Sequence, residues 1–232
     1  MKTNILKFSA AIMVASSLFA CQKQLTSDAE TQDLSSGART ASTEMSSCGM
    51  LRTQTQGGWG APPNGNNPGA YLHANFDAAF PDGLTVGCYP NNYYIKLTSA
   101  QAVTNLLPTG GKAAELSTNT TDPAALKNVL VGQVVALKLS VVFDAQNPDF
   151  GESTVALGKM IIGSGTFKGK TVSQFLAIAE KVLGGCLTRY TAQQVNETAT
   201  SINQNFDDGT TDEGFLVCPG GGSSGGGSNN PA

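Results

Sequence analysis

The sequence predicts a helix-rich α+β fold, a single compact domain of about five helices with a small antiparallel sheet, stapled by two disulfides. Helix-start signals followed by apolar residues at helical spacing occur five times, and two short alternating segments flank a turn. Four cysteines bracket one block of 171 residues, Cys48 to Cys218. A block of this length can enclose its own hydrophobic core, so we expect one globular domain over residues 48–218.

Three of the helix starts match the capping box, in which a threonine and a glutamine three residues later satisfy free backbone N–H groups. They predict helices that begin after Thr98, Thr171 and Thr191. Proline or glycine marks the expected ends, which lie at Pro108, at Gly184-Gly185 and at Asp208-Gly209.

Two further helices begin with proline, which is favoured at the first helical position. Asn67-Pro68 opens a segment that ends at Pro81, and Asp122-Pro123 opens a long apolar segment. That segment is apolar on most faces, which indicates a buried helix. Its valine-rich part, VVALKLSVVF, alternates well enough for a strand, but we prefer the helix.

Short strands are expected in two places. The segments LTVGC and YYIKL lie on either side of Tyr89-Pro90-Asn91-Asn92 and predict a small hairpin. The segment KMIIGSGTF predicts a second pair of strands around Gly163-Ser164-Gly165. Together these strands would form the minor antiparallel sheet.

The first 21 residues have the organisation of an export signal. Lys2 and Lys7 form a positive region, and residues 8–20 form an apolar stretch too short to span a bilayer. Leu18-Phe19-Ala20-Cys21 resembles the lipobox of bacterial lipoproteins, in which the cysteine is acylated and becomes the first residue. The resemblance implies a signal peptide over residues 1–20 and a lipidated Cys21. An ordinary signal peptide that ends in cysteine is the alternative.

A lipoprotein carries at least two acyl chains, which is enough for stable attachment to a membrane. No later apolar run reaches about eighteen residues, so we expect attachment by lipid and no transmembrane helix. Residues 21–47 have no aromatic residue and little apolar periodicity, and predict a disordered tether after the lipidated cysteine. Residues 219–232 predict a flexible tail rich in glycine and serine.

The mature chain is mildly acidic. Removing residues 1–20 leaves 12 basic residues against 17 acidic ones, a net charge of −5. Because there is no basic run, a nucleic-acid partner is not expected. No cofactor is expected either, since the segment GSGTFKGK lacks the spacing of a phosphate-binding loop.

With Cys21 acylated, four cysteines remain, an even number suited to disulfides in an oxidising compartment. Three pairings are possible. We favour Cys48–Cys88 and Cys186–Cys218, which close the shorter loops. A zinc site is the alternative, but the chain has no C-x-x-C motif and its one histidine is remote, so no metal is expected.

The run TQTQGGWGAPPNGNNPGAY, residues 53–71, holds the only tryptophan. A loop so rich in glycine, proline and asparagine needs one large apolar anchor, and we prefer this role for Trp59. The alternative is a face on which sugar rings stack, since aromatic rings suit the apolar faces of sugars. The candidates for that face are Trp59, Tyr71, Tyr89, Tyr93 and Tyr94.

Three groups of polar residues have side chains that could take part in catalysis or metal binding. His73 lies four residues before Asp77 in a predicted helix, and an exposed helix pair is preferred to a catalytic one because no G-x-S-x-G elbow exists. Asp144, Asp149 and Glu152 could supply the paired carboxylates of a glycoside hydrolase, although a solvated loop is preferred. Four acids could hold calcium, but their spacing does not fit an EF-hand and a surface loop is preferred: Asp207, Asp208, Asp212 and Glu213.

An ordered series of stretches, from TQTQGGWG, NGNNPG and FPDGLTVGC to GQVVALKLSVVFD and GFLVC, spans residues 48–218. It resembles a domain that recurs in secreted and surface proteins of bacteria, notably Bacteroidetes. The resemblance implies a location and domain limits, and it supplies no activity and no catalytic residue. In that phylum, acidic residues soon after the lipidated cysteine accompany export to the outer face, and Asp28, Glu30 and Asp33 are a loose match.

These observations predict a lipoprotein of the outer membrane, anchored by its N-terminal lipid and exposed at the cell surface, with a periplasm-facing location as the alternative. We expect a non-catalytic structural or adhesive role, with a glycan or a surface protein as partner. The second hypothesis is a carbohydrate-binding accessory lipoprotein that uses Trp59 and tyrosines. The third is a glycoside hydrolase with carboxylate catalysis.

Overall fold

The computed structural model describes residues 48–220, so the predicted signal peptide, Cys21, the tether and most of the tail lie outside the described residues. The described chain forms six α-helices: α1 (Gln56–Trp59), α2 (Pro68–Ala79), α3 (Ala100–Leu106), α4 (Val129–Gln146), α5 (Val172–Leu183) and α6 (Ala192–Asn205). Single turns of 3-10 helix lie at Pro148–Phe150 and Leu157–Lys159. Five short strands complete it: β1 (Leu84–Gly87), β2 (Tyr94–Leu97), β3 (Thr120–Thr121), β4 (Ile161–Ile162) and β5 (Leu216–Val217). The predicted helix-rich α+β class is confirmed, and α1 is the helix beyond the five expected.

Side-chain caps fix the starts of three predicted helices. At Thr171 and Thr191 the complete capping box forms, and each threonine hydroxyl accepts from the N–H of the glutamine three residues later, at 3.1 and 3.2 Å. At Asn67 the side-chain oxygen accepts from the N–H of Ala70 at 2.8 Å, just ahead of the proline that opens α2. The predictions for α2, α5 and α6 are confirmed.

The starts of α3 and α4 differ from the predictions. Ser99, and not Thr98, caps α3, because the N–H and hydroxyl of Thr98 both donate to the carboxylate of Asp122, at 2.7 and 2.6 Å. Asp122 makes these bonds with φ at +51°, a left-handed conformation that cannot begin a helix. The predicted helix start at Asp122-Pro123 is therefore wrong. The apolar segment is helical, as predicted, but it begins after Asn128, whose side chain accepts from the N–H two residues later.

The hairpin of β1 and β2 forms as predicted, in register from Leu84 opposite Leu97 to Gly87 opposite Tyr94. Its buried positions alternate along each strand, as expected for a sheet with one face on the core. The short strand β3 joins β2 in parallel, so this sheet is mixed rather than wholly antiparallel.

The second predicted hairpin does not form. β4 pairs antiparallel with β5, and Ile161 lies opposite Val217 near the end of the domain. The chain returns along β4 only at residues 169–172, beyond the predicted segment, where the N–H of Ile162 donates to the carbonyl of Lys170 at 2.9 Å and Ile161 bridges to Thr171. In the loop between them, Phe167 is fully buried and packs on Phe175 with 4.9 Å between ring centroids. Burial of this ring outweighs the local strand signal of KMIIGSGTF.

The long helix α4 forms the centre of the core. Ten of its eighteen residues are buried, and it packs against α1, α2, α5 and α6. Within residues 48–220 it is the one helix long and apolar enough to cross a membrane, with 18 residues and a mean hydropathy of 1.5. Gln133, Lys138 and Asp144 interrupt its apolar residues, so this helix is not an unbroken apolar run of eighteen residues. A core helix surrounded by other elements meets the same criterion.

Two disulfides close the domain, Cys48–Cys218 and Cys88–Cys186, with Cα–Cα distances of 5.9 and 6.3 Å. The favoured pairing, Cys48–Cys88 with Cys186–Cys218, is wrong. Loop length describes only the unfolded chain, whereas a disulfide needs two Cα atoms within about 7 Å in the folded chain. The folded chain meets that condition in two places. The last strand, β5, pairs with β4 next to Cys218, and the β1–β2 turn packs on the end of α5.

These two disulfides lie at opposite ends of α5. At its N-terminal end, Thr171 bridges to Ile161, which pairs with Val217, the residue before Cys218. We call this the staple end, marked by Cys48 and Cys218.

At the C-terminal end of α5, Asn92 donates to the carbonyl of Gly185 at 3.3 Å, immediately before Cys186. We call this the turn end, marked by Cys88 and Cys186. A helix of 12 residues is about 18 Å long, and this length separates the two ends.

The turn end is packed so closely that Gly184 has no room for a side chain. A Cβ at this position would overlap the backbone N of Cys88 and the carbonyl oxygen of Tyr93. We expect Gly184→Ala to lower the free energy of unfolding by about 1–3 kcal/mol, measured by urea denaturation, because backbone must move to admit the methyl group. The matched control is Gly110→Ala, where a Cβ meets no atom within 4 Å. Equal stability of the two variants would contradict this packing.

Candidate functional site

The turn between β1 and β2 carries the most exposed aromatic side chains among the described residues. Tyr89 is 63% exposed and Tyr93 is 38% exposed. The ring of Tyr94, at the start of β2, meets that of Tyr89 edge to face, with 4.9 Å between centroids and 89° between planes. We call Cys88 to Tyr94 the tyrosine turn.

Hydrogen bonds and a disulfide fix the backbone of the tyrosine turn. The N–H of Cys88 donates to the carbonyl of Tyr93, and the N–H of Asn92 donates to the carbonyl of Cys88, each at 2.8 Å. On the strand side, Asn119 Oδ1 accepts from the N–H of Tyr94 at 3.0 Å. With Cys88 also bonded to Cys186, the turn presents its rings from a rigid backbone. Rigid presentation lowers the entropy that a ligand must overcome on binding.

Trp59 and Tyr71 lie elsewhere, in a buried aromatic cluster. Trp59 has no exposed surface, its ring stacks on Phe150 with 6.0 Å between centroids, and its Nε1 donates to Ser140 Oγ at 3.3 Å. Tyr71 is partly buried and meets Phe143 edge to face at 5.3 Å. Trp59 is therefore the anchor of its loop and presents no face to a ligand. Tyr71 keeps part of its surface at a depression of about 470 Å3. The most exposed of the candidate stacking residues are Tyr89 and Tyr93 of the tyrosine turn.

A polar network below the glycine-rich run helps to hold Trp59 in place. The short helix α1, which the sequence analysis missed, is capped by Thr55, whose hydroxyl accepts from the N–H of Gly58 at 3.2 Å. The side-chain oxygen Oε1 of the buried Gln56 accepts from the N–H of Thr109 at 3.0 Å. Gly132 on α4 leaves the space that the Gln56 side chain fills. The threonine before two glycines was the available signal for α1, but a helix of one turn has no apolar periodicity to read.

The carboxylates weighed for glycoside hydrolysis are separated by the fold. Asp144, near the end of α4, accepts from the N–H of Leu157 at 2.6 Å. Asp149 and Glu152 are exposed and line a depression of about 200 Å3 that also includes Arg52 and Asp208. Asp144 is not among its lining residues. Ligand pockets for small molecules span about 300–1,000 Å3, so this depression is small for a sugar chain.

Arg52 is the cation of this depression. Its guanidinium lies 2.8 Å from Asp208 and 5.5 Å from the ring centroid of Phe150. A hydrogen bond from Gln54 at 2.9 Å is the largest cause of the lowered pKa of Asp208. Burial opposes this shift, and the hydrogen bond and charge of Arg52 lower the pKa further. The Asp208 side chain is 59% exposed, so solvent screens this pair. The arrangement ties the start of the domain to the end of α6.

The acidic segment weighed for calcium is held by protein donors. Asp212 accepts from Asn205 Nδ2 at 3.1 Å and from the N–H of Gly214 at 2.9 Å, while Asp208 is paired with Arg52. Across residues 48–220, no group of three or more histidine, cysteine or acidic side chains is arranged to hold a metal ion. The side chains of Asp208 and Asp212 thus help to close the loop after α6.

His73 is oriented toward α3. Its Nε2 lies 3.0 Å from the hydroxyl oxygen of Thr104, which in turn donates to the carbonyl of Ala100 at 3.2 Å. The His73 ring is partly buried, whereas Asp77 is exposed. The histidine therefore links two helices, a structural contact in place of the exposed pair that was predicted.

The titration of Asp144 gives a test of the carboxylate geometry. Burial raises the pKa of Asp144 above its ordinary value of 3.8, and the hydrogen bond from Leu157 opposes that shift. A raised pKa means that Asp144 favours folding fully below pH 3.8, and that this contribution is lost as pH rises through the folded-state value. Asp144→Asn keeps an oxygen acceptor for Leu157 and does not titrate. As pH rises from 3.8 to neutrality, we expect the free energy of unfolding of this variant to increase relative to that of the wild type. Urea denaturation at each pH measures the difference.

The control for that experiment is Asp149→Asn, which removes the same charge from an exposed position. It accounts for the change in net charge, since both variants lose one carboxylate. If the free energies of unfolding of both variants and of the wild type show the same pH dependence, the result contradicts the burial of Asp144 in this structure.

Comparisons with known proteins returned no match for this chain, whether with protein-family models, with curated proteins or with solved structures.

Proposed function

We propose that the protein is a membrane-anchored lipoprotein displayed at the cell surface, with a non-catalytic structural or adhesive role. One observation supports this most. The polypeptide chain enters and leaves the domain at the staple end. The most exposed aromatic rings lie at the turn end, about 18 Å away along α5. The segment that leads back toward Cys21 therefore joins the domain at the end opposite the tyrosine turn.

The two disulfides support an extracytoplasmic location. Disulfides persist in oxidising compartments and are rare in the cytosol. Cys88–Cys186 and Cys48–Cys218 use all four cysteines of the described chain, so Cys21 remains as the residue for acylation. The predicted signal peptide and lipobox agree with this location.

The engagement of the polar side chains supports a non-catalytic role. Asp144, Asp208 and Asp212 each accept hydrogen bonds from groups of the domain itself. His73 contacts Thr104. A catalytic pair needs groups that face a common substrate site, and these side chains instead connect secondary-structure elements.

Acylation of Cys21 is tested by growing cells with an alkyne-bearing palmitate and by mass spectrometry of the mature protein. We expect incorporation of label in the wild type and none in Cys21→Ser, which should also accumulate as an unanchored form. A mature protein with a free thiol at position 21 would refute the anchor.

Display is tested by trypsin treatment of intact cells. The predicted tether offers Lys23 and Arg39 as cleavage sites, and cleavage there would release the disulfide-closed domain into the supernatant. Release from lysed but not from intact cells would place the protein on the periplasmic side. A Lys23→Gln/Arg39→Gln variant is the control, because it keeps the domain unchanged and removes both sites.

A further inference from the structure

We infer that the tyrosine turn is a binding site for neutral polysaccharide, an inference that deepens the proposed adhesive role and rests on it. Tyr89 and Tyr93 expose aromatic surface beside the exposed residues Pro90 and Asn91. Trp59 does not contribute, since it is fully buried. The site is therefore smaller than the set of five aromatic residues considered from the sequence.

The chemistry of the turn suits a sugar ring. Tyrosine combines a flat apolar ring with a hydroxyl group, so it can pack on the C–H face of a pyranose and also hydrogen-bond to its hydroxyl groups. The exposed Asn91 carries a carboxamide, which both donates and accepts hydrogen bonds, as sugar hydroxyl groups require. A tyrosine ring also has few rotatable bonds, so little side-chain entropy is lost when it is held by a ligand.

Charge and size narrow the class of ligand. The seven residues from Cys88 to Tyr94 include no charged side chain, so the turn offers no cation for an anionic polymer. At 63% and 38% exposure, the two tyrosines present together roughly the surface of one whole aromatic side chain, about 150–250 Å2. A stable protein interface needs about 800 Å2 from each partner. One turn of this size covers a few sugar units and falls well short of a protein interface.

The rigid backbone of the turn is the reason to expect measurable affinity from so small a surface. The Cys88–Cys186 disulfide, the two backbone hydrogen bonds and the contact of Asn92 with Gly185 hold the backbone that carries the rings before any ligand binds. A polymer also presents many copies of the same unit, and a population of anchored proteins can bind it at several points, which raises avidity.

The test is affinity electrophoresis of the purified domain in native gels. The gels contain mixed-linkage β-glucan, xyloglucan, galactomannan, α-mannan or starch, with alginate as the anionic comparison. We expect at least one neutral polymer to retard the wild type, and alginate to leave its mobility unchanged. Tyr89→Ala/Tyr93→Ala should bind that polymer roughly tenfold more weakly or worse, because two stacking contacts are lost. Tyr89→Phe keeps the ring and should retain most of the affinity.

The control variant is Val217→Ala, which alters an exposed apolar residue at the staple end and should bind like the wild type. Circular dichroism melting curves verify that the tyrosine variants are folded, and the single variant Tyr89→Ala serves if the double variant is not. No retardation by any of the five neutral polymers overturns the inference, as does equal retardation of wild type and double variant. Binding to immobilised collagen that needs Tyr89, without binding to the polymers, would assign the turn to a protein ligand instead. Trypsin release from intact cells uses no ligand, so display can stand even where carbohydrate binding fails.

Discussion

Replacing Trp59 with alanine is expected to lower the free energy of unfolding by about 3–5 kcal/mol, the range for removal of a large aromatic side chain from a core. Trp59 is fully buried and its centroid lies 5.3 and 6.0 Å from those of Phe143 and Phe150. The substitution would leave a cavity between α1, α4 and the 3-10 turn at Pro148–Phe150, and would remove the donor to Ser140. Equilibrium unfolding in guanidinium chloride, followed by circular dichroism, measures the loss.

The matched control for this variant is Tyr89→Ala, which removes an aromatic side chain from the exposed turn. We expect a change within about 0.5 kcal/mol, the usual range for surface substitutions. The difference in free energy of unfolding between the two variants distinguishes a buried ring that holds its loop from an exposed ring available to a ligand. A Trp59→Ala protein as stable as the wild type would show that the ring is not the anchor of its loop.

Removing the Cys48–Cys218 disulfide is expected to have the second large effect on the free energy of unfolding. Cys48→Ala/Cys218→Ala frees a chain whose bridged cysteines are 170 residues apart, and the loop-entropy relation gives about 5 kcal/mol for a loop of this length. Loss of a native disulfide in secreted domains costs about 2–5 kcal/mol, so we expect a decrease near the upper end of that range. The measurement is urea denaturation of the oxidised variant beside the oxidised wild type.

The connectivity itself is checked by peptide mapping without reduction. We expect one linked pair of peptides that contains Cys48 and Cys218 and another that contains Cys88 and Cys186. A linked pair that joined Cys48 to Cys88 would contradict the fold, because it would require the staple end and the turn end to meet. The double variant Cys88→Ala/Cys186→Ala is the stability control, since it opens a loop of 98 residues and should retain the staple.

Local signals carried most of what could be predicted from the sequence. The capping boxes at Thr171 and Thr191, and the Asn67-Pro68 start, depend on side chains within three residues of each other. The hairpin of β1 and β2 depends on alternation and a short turn. Each of these features is decided within a short stretch of chain, and each forms as expected.

The features that the sequence did not predict are those decided by distant partners. Thr98 does not cap α3, because Asp122, 24 positions away, accepts hydrogen bonds from its N–H and its hydroxyl. β4 found its partner in β5, more than fifty residues later, and Cys48 paired with the far end of the domain. Composition and spacing contain no information on such encounters, since they depend on how the helices pack.

The candidate site shows the same division. The tyrosines of the turn could be named from the sequence, but their separation from Trp59 and Tyr71 could not, since all five were simply aromatic residues in the first half of the domain. Their placement follows from burial of the larger ring and exposure of the turn. The acids after α4 and α6 were interpreted as solvated loop residues, and that interpretation did not name their partners, such as Arg52 for Asp208.

The two disulfides also determine how the domain carries tension. A pull between an anchor before Cys48 and a ligand held at Tyr89 runs along two covalent routes, one through residues 48–88 and one through both bridges and residues 186–218. The second route contains 32 peptide units, so extension stops at about 110 Å even if every non-covalent contact along it breaks. The helices α4 and α5 lie within the closed loop between Cys88 and Cys186, off both routes. Once the non-covalent contacts have broken and the chain is taut, the load passes through residues 186–218, and α4 lies outside the loaded segment.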